Sequence, residues 1–475
     1  MTAKRSSGAS KARSTTPPPP ATSAPMPQMA RLTTGPITGH LVGQTLPGIV
    51  GVAAIMSIGL VDSYFIGQLG EEPLAAVAFI FPITIALNSL GVGVMVGINS
   101  MVSRALGEGD AERAARRANF GFIFAIATGL AIGLGLFFLS DPLFRLMNAP
   151  PPLLALIKLY MGPFALGFPI QIAIMGLSGV LRAQGEARKS SSINVSFAVV
   201  NWILDPILIT GAFGFSGFGI VGAAYATIIG WSFGLIIALV MVQSARLPID
   251  LSLVRRRHML DPAVAILRVG GPAAFSNAIN PIGLAILTAL IANQGQDALA
   301  AFGAAGRLQS FATVPLLALS GSIGAIVGQN WGASEFDRAR EAAIWAGGFC
   351  VVWGLGTAAL LFASGEWFGQ LFSDNPAVVR EFALYISIAA WGYAGFGLLI
   401  VANGILNAVD RASFALAQSI LRVFLVMLPF ALLLDQVLGS AAIYSAELAA
   451  NIFGGLTGVA LAWWVLGRGV KHSAA

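Results

Sequence analysis

Long apolar runs alternate with short polar or Pro/Gly-rich segments along the whole chain. Most runs exceed the roughly 20 residues that an α-helix needs to cross the hydrocarbon core of a bilayer. The short alternating strands of a closed membrane barrel are not seen. The pattern therefore predicts an all-α integral membrane protein with twelve transmembrane helices. The predicted spans lie near residues 40–66, 74–101, 118–139, 153–181, 190–210, 217–243, 264–293, 299–327, 342–364, 378–407, 413–436 and 440–466.

Composition and charge support this interpretation and give it a direction. Only 10% of the 475 residues are charged, whereas soluble proteins carry roughly 25%. Of the 27 Lys and Arg residues, 21 fall in the tails and alternate connections on one side of the predicted spans. Basic residues stay on the cytoplasmic side of a membrane. We therefore expect a multi-pass protein of the inner (plasma) membrane with both termini in the cytoplasm.

An internal repeat divides the chain into two halves. When the second half is aligned on the first in a single ungapped register, LGEEPLAAVA (69–78) falls on QGQDALAAFG (294–303), and Tyr160 falls on Tyr385. Six spans per half give both halves the same orientation, which predicts two pseudo-symmetric six-helix lobes around a central cavity. The predicted divisions are a disordered cytoplasmic tail (1–35), an N-terminal lobe (36–243), a cytoplasmic linker (244–263), a C-terminal lobe (264–466) and a cytoplasmic tail (467–475).

A proline falls in the first span of each half, at Pro47 and Pro272. Proline removes a backbone hydrogen bond and bends a helix. Each bend is either a static kink or a hinge that moves during transport, and the proline position alone does not decide between them.

Polar residues inside the N-terminal spans form the principal candidate site. Asp62 in helix 1 and Asp205 in helix 5 are predicted to lie at similar depth, with Asn201 one turn before Asp205. Tyr160 and Thr227 come to nearby depths on helices 4 and 6. Burial disfavours a charged carboxylate, and a second carboxylate nearby adds to that cost, so such a pair favours taking up a proton or small cation. The alternative is that both acids are interfacial or packing residues.

The second half lacks both acids, because positions 62 and 205 correspond to Leu287 and Phe430. We therefore assign cation coupling to the N-terminal lobe. The C-terminal lobe offers neutral side chains suited to an apolar ligand with a few polar anchors. The candidates for that substrate cavity are Asn277, Asn280, Gln309 and Asn403. Glu447 either faces the cavity or reaches outward to the membrane surface, and Arg307 and Arg422 either brace helix packing or bind substrate.

The sequence resembles the multidrug and toxic compound extrusion (MATE) transporters over about residues 36–466, and looks closest to the DinF-like branch. The resemblance implies cation coupling at Asp62 and Asp205, with Asn201, Tyr160 and Thr227 as their neighbours. Two departures occur, at Met175 and Ile58, and acids that the NorM-like branch places in helices 7 and 10 are missing. The motifs are VDSYFIGQLGEEPLAAVAF (61–79), VSRALGEGD (102–110), LRAQGEA (181–187), NWILDPILI (201–209), GIVGAAYAT (219–227) and GQNWGA (328–333).

The predicted function is a cation-coupled antiporter, driven by H⁺ or Na⁺, that exports amphipathic and often cationic small molecules. We expect a monomer in the lipid bilayer with no cofactor, no bound metal and no nucleic-acid partner. The alternative is a flippase or exporter of a lipid-linked saccharide, whose pyrophosphate calls for several cavity Arg or Lys residues. An enzyme is disfavoured, because the chain has no Walker A, HExxH or Cys cluster, and His40, His258 and His472 are scattered.

Overall fold

The computed structural model describes residues 30–253 and 260–473, in which every regular element is helical. The predicted tail residues 1–29 and the basic run 255–257 lie outside the described residues. The helices are α1 (Ile37–Gly67), α2 (Glu71–Gly107), α3 (Ala111–Leu146), α4 (Pro151–Ala183), α5 (Ala187–Asp205), α6 (Ile220–Gln243), α7 (Leu260–Ala292), α8 (Gln296–Ala312), α9 (Val314–Gly332), α10 (Phe336–Phe372), α11 (Pro376–Ala389), α12 (Tyr393–Ala408), α13 (Ala412–Ile420), α14 (Leu428–Leu438) and α15 (Ser440–Ser473).

These helices confirm the all-α membrane fold. Eleven spans are long and apolar enough to cross a bilayer in the described residues, and α8 with α9 forms a twelfth span that bends by 43°. The bend falls at Thr313, whose hydroxyl donates to the backbone oxygen of Gln309 at 2.9 Å. Pro315 follows at the start of α9, where its missing N–H does no harm. The eighth span is therefore two helices of different direction.

The internal repeat is visible in the backbone. Gly70 and Gly295, which the repeat relates to each other, precede α2 and α8 with φ values of 117° and 119°. L-residues with a side chain rarely adopt this conformation, so both turns require glycine. The helix α2 and the bent pair α8–α9 thus begin with the same turn and cover corresponding stretches of the two lobes.

Each lobe carries a π-helical segment in its fifth span. In the N-terminal lobe it covers Pro206–Thr210, directly after Asp205. In the C-terminal lobe it covers Leu421–Met427 and contains Arg422. Such segments widen a helix locally and often occur at functional sites. Here each one begins at or next to an ionisable residue of an apolar span, Asp205 in one lobe and Arg422 in the other.

The two lobes meet in one half of the membrane-spanning region. This half contains the C-terminal ends of α2 and α9, and we call it the closed half. The Ser100 hydroxyl donates to the backbone oxygen of Asn407 at 2.7 Å. Nearer the membrane centre, α2 and α7 pack so tightly that a Cβ on Gly93 would overlap the backbone oxygen of Gly270. Hydrogen bonds between the lobes in the described part of the chain lie in this half. In the other half, the open half, α8 packs on α7, α10 and α11 of its own lobe.

Candidate functional site

The carboxyl groups of Asp62 and Asp205 lie within hydrogen-bonding reach of each other. Packing of α1 along α5 brings them together. Asp205 is fully buried, and Asp62 is half-buried. Neither oxygen of Asp205 receives a hydrogen bond from the described residues, and the buried Oδ1 of Asp62 receives none either. Two acceptors that face each other without a donor need a proton or a cation between them.

The predicted neighbours surround this pair. The Tyr160 hydroxyl lies close to Thr227 and to both carboxyl groups. Thr227 donates its own proton to the backbone oxygen of Ala223 at 2.9 Å, so its oxygen is free to accept. Asn201 is fully buried, and neither atom of its amide has a partner in the described residues. The structure therefore brings Tyr160 and Thr227 to the acid pair, and Asn201 lies one turn before Asp205 on α5.

Apolar side chains pack against the polar cluster on its side toward the open half. Ile66 of α1, Ile209 of the π-helical segment and Ala223 of α6 form a small buried group, and the Tyr160 ring packs against it. Tyr160 also stacks on Phe164 with ring centroids 5.7 Å apart. Carboxylate, amide and hydroxyl oxygens held in this way can bind a hard cation such as Na⁺, and the carboxyl pair alone can share a proton.

The two prolines lie where the lobes touch. Pro47 is inside α1, and a Cβ on the next residue, Gly48, would lie 3.2 Å from the Cβ of Ala318 in α9. Pro272 is inside α7, two residues after Gly270, which contacts α2. A change of bend at either proline would move the interface between the lobes. Whether these bends move stays a prediction.

The four polar residues predicted for a substrate cavity in the C-terminal lobe do not form one group. Asn277 is exposed and donates to its own helix at Ala273, 2.8 Å away. Asn280 accepts from Arg422, and Gln309 donates to Glu447. Asn403 is half-buried, and its Oδ1 has no partner in the described residues. Two of the four therefore belong to a buried network that the sequence did not predict.

That network is centred on Glu447, which is buried and does not reach outward. Its two oxygens accept from Gln309 Nε2 at 2.6 Å and from the Tyr385 hydroxyl at 2.9 Å. Arg422 is also buried and donates to Asn280 and, at 2.6 Å, to Asn451. The internal repeat could have predicted this network, because Tyr385 is the repeat counterpart of Tyr160. Each of these two tyrosines faces a carboxyl group.

The two lobes thus treat their buried acids differently. Both oxygens of Glu447 receive donors, so this buried acid is hydrogen-bonded where it lies. Asp62 and Asp205 face each other with three buried oxygens unpartnered among the described residues. Of these two groups of acids, only the N-terminal pair has unpartnered oxygens to which an added cation or proton could bind.

Comparisons with known proteins agree with this architecture. The model of the family described as MatE matches residues 47–207 and again 272–433, two stretches that begin at the repeat-related Pro47 and Pro272. The chain is 33% identical over 415 residues to a protein of Shewanella oneidensis named FAD transporter, covering 85% of this chain and 89% of the relative. It is 28% identical to the Bacillus subtilis protein named probable multidrug resistance protein YpnP, covering 86% of this chain and 91% of the relative.

A solved structure shows the same fold. The crystal structure of the Vibrio cholerae MATE transporter VcmN in the bent form superposes with a TM-score of 0.84 at 28% identity, covering 92% of this chain and 97% of that one. The agreement spans both lobes, so the arrangement of the twelve spans is that of this transporter.

Proposed function

The chain belongs to the MatE family of multidrug and toxic compound transporters, and on that basis we propose that it is a cation-coupled secondary antiporter. In this proposal the Asp62–Asp205 pair takes up H⁺ or Na⁺ while an amphipathic small molecule is exported. Multidrug resistance and FAD transport are the functions named for two relatives, and both involve the movement of small organic molecules.

One observation carries the coupling assignment: two carboxyl groups face each other at bilayer depth with no donor for three of their buried oxygens. With both acids charged, like charges repel in a region of low dielectric constant. A bound cation or proton removes that repulsion and draws α1 and α5 together. Loading the site therefore changes the relative stability of two packings of the N-terminal lobe, which is what ion coupling requires.

The arrangement of the lobes supports alternating access. Hydrogen bonds join them in the closed half, whereas in the open half α8 packs mainly on its own lobe. On the orientation that the basic residues predict, the closed half faces the cytoplasm, so the conformation is open to the outside. Pro47 of α1 lies where the lobes touch, and Asp62 lies further along the same helix, so α1 connects the coupling site to the interface.

The test is uptake of a fluorescent drug into inverted membrane vesicles, with the proton and sodium gradients collapsed separately. We expect uptake by the parent protein to need one of these gradients, and Asp62→Asn and Asp205→Asn to lose that dependence. Asp141→Asn is the matched control, because Asp141 is an acid of the same lobe that pairs with Lys158 at 2.8 Å near a helix end. Coupled uptake in both Asn variants, or uptake driven by ATP alone, would refute the proposal.

A lipid-linked saccharide is the less favoured cargo. Its pyrophosphate would need several cations along the cavity. Of the two arginines deep in the C-terminal spans, Arg422 is buried against two amides and only Arg307 is exposed. A single exposed cation is a weak basis for holding a pyrophosphate headgroup.

A further inference from the structure

Arg307 is an exposed charge deep in a membrane span. It is the twelfth residue of α8, about 17 Å from the start of the helix at a rise of 1.5 Å per residue. That depth is near the middle of a hydrocarbon core of about 30 Å, too far for the side chain to reach the membrane surface. The side chain is exposed and makes no hydrogen bond or ion pair with the described residues. A charge at this depth must face water rather than lipid.

The exposed face of α8 has the character of a water-filled cleft. It consists of Ala300, Gly303, Arg307 and Phe311, which follow one another along the same side of the helix. A Cβ added at Gly303 or Gly306 would meet nothing within 4 Å. Faces that meet lipid in this protein look different: α14, for example, exposes Leu432, Leu433 and Val437.

The position of α8 places this face at the boundary between the lobes. Its continuation α9 packs on α1 and α2 of the N-terminal lobe. The whole span is the repeat counterpart of α2, which packs on α7 and α9 across the interface. Before the bend at Thr313, α8 packs mainly on α7, α10 and α11 of its own lobe, so the N-terminal lobe does not cover its exposed face.

Acids near Arg307 in the sequence and on neighbouring helices are already engaged. Glu447 accepts from Gln309 and Tyr385. Asp297, at the start of α8, accepts from Asn375 at 2.9 Å. The guanidinium therefore stands in the cleft as an uncompensated positive charge, and such a charge raises the local concentration of anions.

We propose that Arg307 receives an anionic group, phosphate or carboxylate, of the exported compound. The planar guanidinium presents paired N–H donors that match both groups. This inference rests on the proposed function and narrows its substrate class, away from the cationic cargo that the sequence suggested. It also places substrate charge in one lobe and the coupling acids in the other, so the ion and the substrate do not compete for one side chain.

Binding of matched flavins tests the inference without any gradient. Flavin mononucleotide and riboflavin differ only in one phosphate, and both report binding through their fluorescence. We expect the purified parent protein to bind the phosphorylated flavin roughly tenfold or more tightly than riboflavin, the range of a charge-assisted contact. Arg307→Gln should remove that preference and Arg307→Lys should keep part of it. Arg380→Gln, at an exposed arginine near the start of α11, is the control.

A second measurement needs no knowledge of the substrate. In a Cys350→Ala background, which removes the single native thiol, Gly303→Cys is reacted with anionic and cationic methanethiosulfonates. Adding Arg307→Gln should lower the anionic-to-cationic rate ratio by about three- to tenfold, as expected for one nearby charge in a partly aqueous cleft. Leu433→Cys, at a lipid-facing position with 78% exposure, should react slowly with both reagents.

The outcomes separate this inference from the coupling proposal. A flavin preference that survives in Arg307→Gln, equal binding of both flavins by the parent, or an unreactive Gly303→Cys would overturn it. If the phosphate preference depends on Arg307 while Asp62→Asn and Asp205→Asn transport normally, the substrate site stands and only the coupling site is wrong.

Discussion

Gly107 and Gly332 lie where α2 and α9 cross, each against the backbone of the other helix. A Cβ on Gly107 would overlap the backbone oxygen of Gln329, and a Cβ on Gly332 would overlap that of Arg104. The internal repeat relates these two glycines to each other, because both occupy the same position in its register. Their crossing lies on the pseudo-two-fold axis of the molecule, at the end of the closed half.

Adding a methyl group at this crossing should favour the state in which the closed half opens. Overpacking a tight contact costs about 1–3 kcal/mol, and the lobes relieve it by separating. We expect Gly107→Ala and Gly332→Ala to expose the interface to a membrane-impermeant thiol reagent applied from that side, read out with Ser100→Cys in a Cys350→Ala background.

Gly43→Ala is the control for this prediction, because a Cβ there meets nothing within 4 Å. Ser100 is 3% exposed at the interface, so its substituted thiol should be protected while the lobes are joined. Equal protection in the alanine variants and in the control would show that the glycine crossing does not hold the closed half.

The acid pair predicts an unusual separation of stability from activity. In the parent protein, the buried oxygen of Asp62 has no donor among the described residues. In Asp205→Asn, the new amide N–H can donate to this carboxylate. A hydrogen bond to a charged group contributes roughly 1.5–3 kcal/mol. We therefore expect the variant to melt at the same temperature as the parent or higher, while ion-driven transport is lost.

Asp141→Asn should behave in the opposite way. It weakens exposed ion pairs with Lys158 and Arg145, whose contribution to stability is small because water screens them, and leaves transport intact. Thermal unfolding in detergent and vesicle uptake measure the two properties separately. A strongly destabilised Asp205→Asn protein would mean that this carboxylate is held by interactions other than those described.

The sequence predicts the N-terminal cluster because depth in a helix can be counted. Asp62 and Asp205 stand out as isolated acids in apolar runs, and residue spacing alone places them at similar depth. The bend at Thr313 could not be predicted in this way, because the run from 299 to 327 is apolar throughout and its break depends on how the lobes pack. The network of Glu447 was missed for a related reason: its donors, Gln309 and Tyr385, come from two other helices.

That network makes a prediction about stability. Tyr385 donates to Glu447 at 2.9 Å, and removal of a donor from a buried carboxylate costs about 1–3 kcal/mol. We expect Tyr385→Phe and Glu447→Gln to lower the melting temperature, and Tyr64→Phe, at a tyrosine that is 65% exposed, to leave it unchanged. The ion that drives transport should stay the same in all three variants.

A change of driving ion in Glu447→Gln would contradict this interpretation and would assign a coupling role to the C-terminal lobe. The comparison is informative because Glu447 and the Asp62–Asp205 pair lie beside corresponding tyrosines. The N-terminal site has two facing acids without donors, whereas the C-terminal site has one acid with two donors. Vesicle uptake with separately collapsed proton and sodium gradients reads out the driving ion.

The amide of Gln329 joins the two lobes at the closed half. Its Oε1 accepts from the backbone N–H of Leu32 at 2.9 Å, and its Nε2 donates to the backbone oxygen of Ala183 at 2.6 Å. Gln329 itself belongs to α9 of the C-terminal lobe, whereas both partners belong to the first half of the chain. Leu32 is fully buried, packed in a core cluster made mainly of C-terminal residues.

Gln329→Leu keeps the volume of this side chain and removes both hydrogen bonds. The Leu32 N–H and the Ala183 oxygen are then left unpaired while the lobes stay joined, at a cost of about 1–3 kcal/mol each, and water satisfies the Ala183 oxygen when the lobes separate. The population with the closed half open should rise by roughly tenfold or more.

Spin labels at Arg188 and Glu335, both exposed, would report a longer distance. Gln68→Leu is the control. Gln68 is exposed and directly follows the last residue of α1, so this change should leave the distance unchanged. An unchanged distance in Gln329→Leu would mean that the glycine crossing and apolar packing hold the closed half without this amide.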